Sequence, residues 1–191
     1  MHIQYCSDLH LEFIKNKNFL NSNNLIPEAE ILILAGDVIP LGKDLENEEY
    51  FDLLSYSFKE IYWLLGNHEY YHSDISQSNS FKNMKVKPNI HIVSNDIIRL
   101  NDSNLIFSTL WSKISPTNEL FIKSHLSDFS LIKVGGDAFR PKQYNILHQQ
   151  SINFLEESLI YLKGQKNIVI THHVPTFFNY PPYFRNSPLN E

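Results

Sequence analysis

Four short stretches carry side chains able to do chemistry together: Asp8-Leu9-His10, Gly36-Asp37, Gly66-Asn67-His68-Glu69 and His172-His173. They offer carboxylates, imidazoles and an amide oxygen, and no thiolate. Such donors suit manganese, iron, zinc or magnesium rather than a structural thiolate zinc site. Each stretch has a plainer reading when taken alone. D-x-H is also a strand end running into a polar turn, and a carboxylate after a strand also caps helices. The recurrence is the informative part, because each stretch follows a strand-like run, and ligands in α/β sheets bind at the carboxyl ends of strands.

The elements that must position them are legible as periodicity. Residues 1–6 alternate apolar and polar, then reach Asp8 and His10. In extended backbone, residues two apart point the same way, so the spacing predicts two side chains aimed at one cation. Residues 31–35 and 61–65 are continuous apolar runs, the pattern of strands buried on both faces. Gly66 suits a sharp exit from the second run. Tyr50, Phe51, Leu53, Leu54 and Phe58 form a helical stripe between them, which makes a βαβ crossover and implies a parallel sheet. Residues 73–85 read as polar loop or short helix. Runs at 90–93, 97–100 and 105–110, separated by Ser94-Asn95-Asp96 and Asn101-Asp102-Ser103, predict an antiparallel meander forming a second sheet. Residues 119–126 suit a helix and Gly135-Gly136-Asp137 a turn. Pro141 to Leu162 is the clearest helix, with proline in its first turn and Gly164 after it. Residues 168–170 are the fourth apolar run, delivering His172-His173. The tail from Phe177 is rich in Pro, Asn and aromatics; Phe177, Phe178, Tyr180 and Tyr183 suit either a pocket wall or simple packing.

In that order and spacing, Asp8-Leu9-His10, Gly36-Asp37, Gly66-Asn67-His68-Glu69 and His172-His173-Val174-Pro175 resemble the calcineurin-like metallophosphoesterases. The resemblance runs from Met1 to about Pro175. It implies an α/β fold, a two-sheet β-sandwich flanked by helices in four layers (α/β/β/α), here a single domain over residues 1–191. It implies two divalent metal ions (Mn, Fe, Zn or Mg) and hydrolysis of a phosphomonoester or phosphodiester by a metal-activated hydroxide. Asp8 and His10 would hold the first metal, Asp37 would bridge both, and Asn67 with His172 would hold the second. A bridge needs two oxygens, which suits Asp37. His68 would face the phosphate and the leaving group as the catalytic residue, kept protonated by a nearby acid: Asp8, Asp37 or Glu69.

The family's terminal G-H-x-H does not occur in this sequence. The expectation is therefore a C-terminally incomplete or degenerate member with C-terminal strands missing. Such a chain should show weak hydrolysis, substoichiometric metal and self-association through an exposed sheet edge. His2, His91, His125 and His148 have no context that would replace the absent histidines. A binding protein on the same fold is the alternative. A second alternative is a zinc peptidase, since His68-Glu69-Tyr70-Tyr71-His72 spells H-E-x-x-H. That motif needs a helix running through it, whereas Gly66-Asn67 follows a strand.

Bulk properties narrow the field further. A formal net charge of -5 leaves no basic excess for phosphate backbones, so nucleic acid is not indicated except as a substrate. Cys6 is the sole cysteine, so no intrachain disulfide forms and a reducing, cytoplasmic setting fits. No apolar run approaches a membrane span. Neither G-x-x-x-x-G-K-[ST], G-x-G-x-x-G nor G-x-S-x-G occurs, which removes the common nucleotide-binding and serine-hydrolase readings.

Overall fold

A computed structural model describes residues 2–42, 45, 48–178, 180–184, 187, 189 and 190. The elements in chain order are β1 (Ile3–Cys6), α1 (Ile14–Ser22), β2 (Ile31–Ala35), α2 (Glu49–Ser57), β3 (Glu60–Leu64), α3 (Ser78–Lys82), β4 (Ile90–Val93), β5 (Asp96–Leu100) and β6 (Ser103–Ser108). They continue with α4 (Glu119–His125), α5 (Asp128–Leu131), β7 (Lys133–Val134), β8 (Asp137–Ala138), α6 (Pro141–Tyr161) and β9 (Lys166–Thr171).

One sheet has the order β1-β2-β3-β4, all parallel; the second has the order β5-β6-β9. The apolar runs of β2 and β3 are buried on both faces, and the alternation shows what each face meets. Leu32, Leu34, Ile61 and Trp63 join Phe51 and Leu54 of α2 in one core. Ile33, Tyr62, Leu64 and Val93 pack instead on Leu105 and Phe107 of β6, the apolar seam between the sheets. Trp63 is fully buried with its ring 5.2 Å from that of Phe51. Deleting such a side chain costs about 3–5 kcal/mol. α6 runs beside β6, with Asn145 bonded to both the N–H and the carbonyl of Ile114. Helix, two sheets and helix is the expected α/β sandwich.

The meander is only partly present. β4 pairs parallel with β3 and belongs to the first sheet, while β5 and β6 alone form an antiparallel pair and β9 adds parallel to β6. Residues 73–89 form a crossover containing α3, which returns the chain to run parallel to β3. The turn at Ser94–Asp96 then carries the chain between sheets. It is held by the Ser94 N–H to Asp96 and by Lys82 on Asp96, with Asn95 at φ 51°. Turn residues announce a change of direction but not which sheet the next strand joins. Among the described residues, β9 has a strand neighbour on one side only, and its own Ile168 and Val169 are exposed. Also among these residues, no helix is long and apolar enough to cross a membrane.

Candidate active site

Because β1, β2 and β3 are parallel neighbours in register, their carboxyl ends lie side by side. The loops leaving β1 and β2 stay joined beyond the strands. The Asp8 N–H donates to Gly36 O (3.0 Å), His10 N–H to Asp37 O (3.0 Å) and Leu11 N–H to Val38 O (2.8 Å). The spacing argument assumes extended backbone at Asp8 and His10, but both are left-handed, with φ of 57° and 46°, and so is Asp37 at 57°. The loop curls to keep its N–H groups on residues 36–38. Side chains in this region bear strain of about 1–3 kcal/mol each, which clusters at functional sites.

Two glycines make room for the site. Gly36 has φ 96°, and a Cβ there would overlap the ring of His172. Gly66 needs no unusual φ, contrary to the sharp-exit reading; a Cβ there would overlap Asp37 Oδ1 and come within 2.9 Å of His172 Nε2. Its missing side chain lets the β3 exit touch Asp37.

Asp37 is the hub and is nearly buried. His172 Nε2 lies 3.3 Å from its Oδ1, His68 Nε2 lies 3.9 Å from its Oδ2, and its Oδ1 accepts the His68 N–H at 3.0 Å. Donor atoms of Asp8, Asp37 and His172 all fall within 4.8 Å of one another, and so do those of His10, Glu12 and His68. His10 Nε2 is 3.8 Å from Asp8 Oδ1. His172 Nδ1 donates to Ala35 O at 2.8 Å, which leaves Nε2 as the ring nitrogen that faces Asp37. Burial alone would depress the His172 imidazole, but the hydrogen bond and charge of Asp37 push it up to about 9. Its neighbour His173 is pushed down to about 4, by burial and then by the positive charge of His172.

Asn67 is anchored from behind. Its Nδ2 donates to Asp128 Oδ1 at 2.9 Å, and the Tyr71 hydroxyl donates to the same oxygen at 2.8 Å. The Asn67 Oδ1 is thereby turned the other way, 3.4 Å from His173 Nε2. On the opposite side, Glu12 Oε1 lies 3.0 Å from His68 Nδ1 and 3.2 Å from His10 Nδ1. Burial opposes ionisation of Glu12, yet the hydrogen bonds from His68 and His10 hold its carboxyl below the usual range. His68 is pushed up in turn: burial works against it, and the Glu12 hydrogen bond with the Asp37 charge wins.

Glu69 is not the acid beside His68. It is fully buried and accepts from the N–H groups of Asp37 (3.0 Å), Val38 (2.7 Å) and Gly66 (2.7 Å) and from Trp63 Nε1 (3.0 Å). It staples the exits of β2 and β3. H-E-x-x-H therefore fails as a zinc-protease helix. Residues His68–Tyr70 form a single 3-10 turn, and His72 has φ 63° with its N–H on Leu131 O. Glu12, Asp128 and Tyr71 were not signalled as site residues by the sequence.

The donor chemistry of two carboxylates, imidazoles and an amide oxygen fits divalent cations of the manganese, iron, zinc or magnesium kind. The chain matches the calcineurin-like phosphoesterases over residues 1–190. It belongs to that family. Calcineurin-like phosphoesterases are metal-dependent hydrolases of phosphoester bonds, and this chain carries candidate ligand groups for such metals. A protein of Acanthamoeba polyphaga mimivirus, named "Uncharacterized protein L509", is 33% identical over 217 residues; the alignment covers 99% of this chain and 76% of that protein. The phosphopantetheinyl hydrolase of Mycobacterium tuberculosis is similar in structure, with a TM-score of 0.63 at 17% identity, covering 90% of this chain and 68% of that one. That likeness shows a shared fold.

Beside the phosphoesterase centre lies a cleft of about 580 Å³. Asp8, His172 and His173 line it, and Trp111, Phe177 and Tyr180 are among its apolar walls. Phe178 and Tyr183 stay exposed and do not line it. Lys113 and His148 also border it, and His148 Nδ1 is held 2.6 Å from Trp111 O. His91 pairs with Glu60, and His125 stacks on Phe121; neither lines the cleft.

Proposed function

We propose that this phosphoesterase hydrolyses a phosphomonoester or phosphodiester at a dinuclear centre. Asp8, His10 and Asp37 would hold one cation, and Asp37, Asn67 and His172 the other. The observation that carries this is the position of Asp37, with one carboxylate oxygen toward His172 and the other toward His68, and with Asp8 adjoining. When bound, a cation pair of this kind acidifies water to make the nucleophile and offsets charge on the phosphoryl oxygens.

The chain's own residues do the rest. As water attacks phosphorus and the bond to the leaving oxygen breaks, that oxygen needs a proton. His68 would deliver it, a role supported by its Nε2 facing the centre while its Nδ1 is held by Glu12. The Tyr71 ring, 4.0 Å from His68 and nearly parallel, limits how the imidazole can rotate. The cleft walls of Trp111, Phe177 and Tyr180 would receive the organic part of the substrate. The Nδ1 bond to Ala35 O leaves Nε2 as the His172 nitrogen that would bind the cation, in place of its proton.

The test is turnover of p-nitrophenyl phosphate and bis-p-nitrophenyl phosphate under saturating manganese, with metal analysis after gel filtration. Manganese-dependent hydrolysis of either ester, absent in Asp37→Asn, supports the reading. Stoichiometric metal without turnover of either ester would favour a binding protein on the same fold.

A further inference from the structure

We infer that Glu12 is a positioning residue that ties a metal ligand to the general acid, its single oxygen Oε1 holding the Nδ1 atoms of both His10 and His68. This rests on the roles proposed above for those two histidines.

The geometry is specific. The two Nδ1 atoms lie 3.2 and 3.0 Å from the same oxygen, and the rings meet edge to face at 4.4 Å. With Nδ1 turned to Glu12, each ring presents Nε2 to an acidic partner in the centre. His10 Nε2 faces Asp8 Oδ1 at 3.8 Å, and His68 Nε2 faces Asp37 Oδ2 at 3.9 Å. A carboxylate oxygen has two lone pairs, so one atom can accept from both N–H groups. Among the described residues, the buried Glu12 Oε2 has no hydrogen-bond partner, so both imidazole contacts fall on Oε1. Residue type follows from this. A carboxylate is acceptor-only, so it requires both histidines to carry their proton on Nδ1. That requirement leaves the His10 Nε2 free to bind a cation, and lets Nε2 of His68 carry the proton to be transferred. Partners that orient a ligand imidazole through its second nitrogen raise its basicity and fix its tautomer. Here one partner serves a ligand and a catalyst together, so disturbing one histidine disturbs the other.

The same atoms admit a competing arrangement, a cation seated among His10, Glu12 and His68, whose donor atoms lie within 4.8 Å of one another. It would require Nδ1 of both rings to be unprotonated, and the two arrangements therefore differ in a measurable proton.

The experiment uses long-range ¹H–¹⁵N correlation spectra of the histidines in the whole chain, metal-free and with zinc, for wild type, Glu12→Gln and Glu12→Ala. Manganese affinity and steady-state kinetics are measured in parallel. In wild type, both rings should carry Nδ1–H without metal and keep it with zinc, while the His10 Nε2 signal moves on zinc binding. Glu12→Ala should release both tautomers and weaken manganese binding by roughly 10–100-fold, the usual loss for a partner behind a ligand. Glu12→Gln keeps an acceptor of the same shape, so its tautomers and metal binding should largely survive while kcat falls and KM does not. Loss of Nδ1 protons in zinc-loaded wild type would overturn the inference in favour of a cation at Glu12. So would Glu12→Ala with tautomers, manganese affinity and kcat all within about twofold of wild type. If wild type turns over no ester, the proposed reaction fails, yet the tautomer and manganese measurements still decide the role of Glu12. Should Glu12→Ala not fold, the isosteric Glu12→Gln carries the test through its split between kcat and KM and its histidine spectra.

Discussion

Two carboxylates stand behind the two sides of this centre and are treated in opposite ways. Glu12, beside β1, faces His10 and His68, and those imidazoles hold it below the usual carboxyl range against the effect of burial. Asp128, at the start of α5, is buried against Asn67 and Tyr71; there burial prevails over their hydrogen bonds and pushes it up. Both accept two hydrogen bonds on one oxygen. The difference lies in the donors. Imidazoles can bring positive charge to offset desolvation, whereas a phenol and an amide bring only dipoles. One side of the site can thus store a proton on His68, while the other holds a neutral amide in a fixed orientation.

Asp37 belongs to both sides, so its removal should have the largest effect. Asp37→Asn should abolish metal binding and turnover together, read by metal analysis and ester assay; a variant still holding two cations would break the picture of a shared bridge. His68→Ala strikes the Glu12 side alone. Turnover should fall by roughly 10²–10⁴, the range for a positioned acid–base group, with most metal retained. Release of metal instead would make His68 a ligand and erase the contrast between the sides.

Asp128→Ala sharpens the comparison from the dry side. It leaves the Asn67 amide unanchored and the Tyr71 hydroxyl without its acceptor, an expected loss of about 1–3 kcal/mol per stranded buried donor. Manganese affinity should drop by roughly 10–100-fold. Urea melts and metal titration read the two effects separately. Unchanged affinity in a folded variant would mean that Asn67 needs no support from behind.

The smallest expected effect is on the pH dependence of stability without metal. His172 titrates at about 9, above its ordinary 6.5, so its contribution is complete below 6.5 and is lost as pH rises through 9. His173 titrates at about 4, below its ordinary 6.5, so its contribution is complete above 6.5 and is lost as pH falls toward 4. Melting temperature should peak near pH 6.5, and His172→Gln should flatten the alkaline side, with a smaller softening of the acid side because the charge that helps depress His173 is gone. A wild-type profile that stays level from pH 6.5 to 9.5 would show that Asp37 does not hold the His172 charge.

What could be read early and what could not divides along sequence distance. Strand runs and the four chemical stretches at their ends are local, so periodicity and residue type expose them, and the parallel pairing of β2 with β3 follows from the crossover between 31 and 65. The path of β4 is hidden in the sequence because residues 73–89 carry only a weak helical signal, although they form a crossover. Glu12 sits in plain view two residues after His10, yet its significance depends on His68, 56 residues away. Asp128 meets Asn67 across 61 residues. Glu69, adjacent to His68, turns away from it because four donors surround its carboxylate.

The sequence by itself determined the donor types, the strands that deliver them and the family to which the chain belongs, because each is written in contiguous residues. Only the tertiary structure decided that Asp8 and His10 curl into left-handed backbone. It also decided that Gly36 and Gly66 serve close approach, and that Glu12 and Asp128, rather than Glu69, hold the working side chains. Those outcomes depend on which loops the parallel register brings into contact. A buried polar group must take its partner from whatever the fold places beside it, however far away in the chain that partner lies.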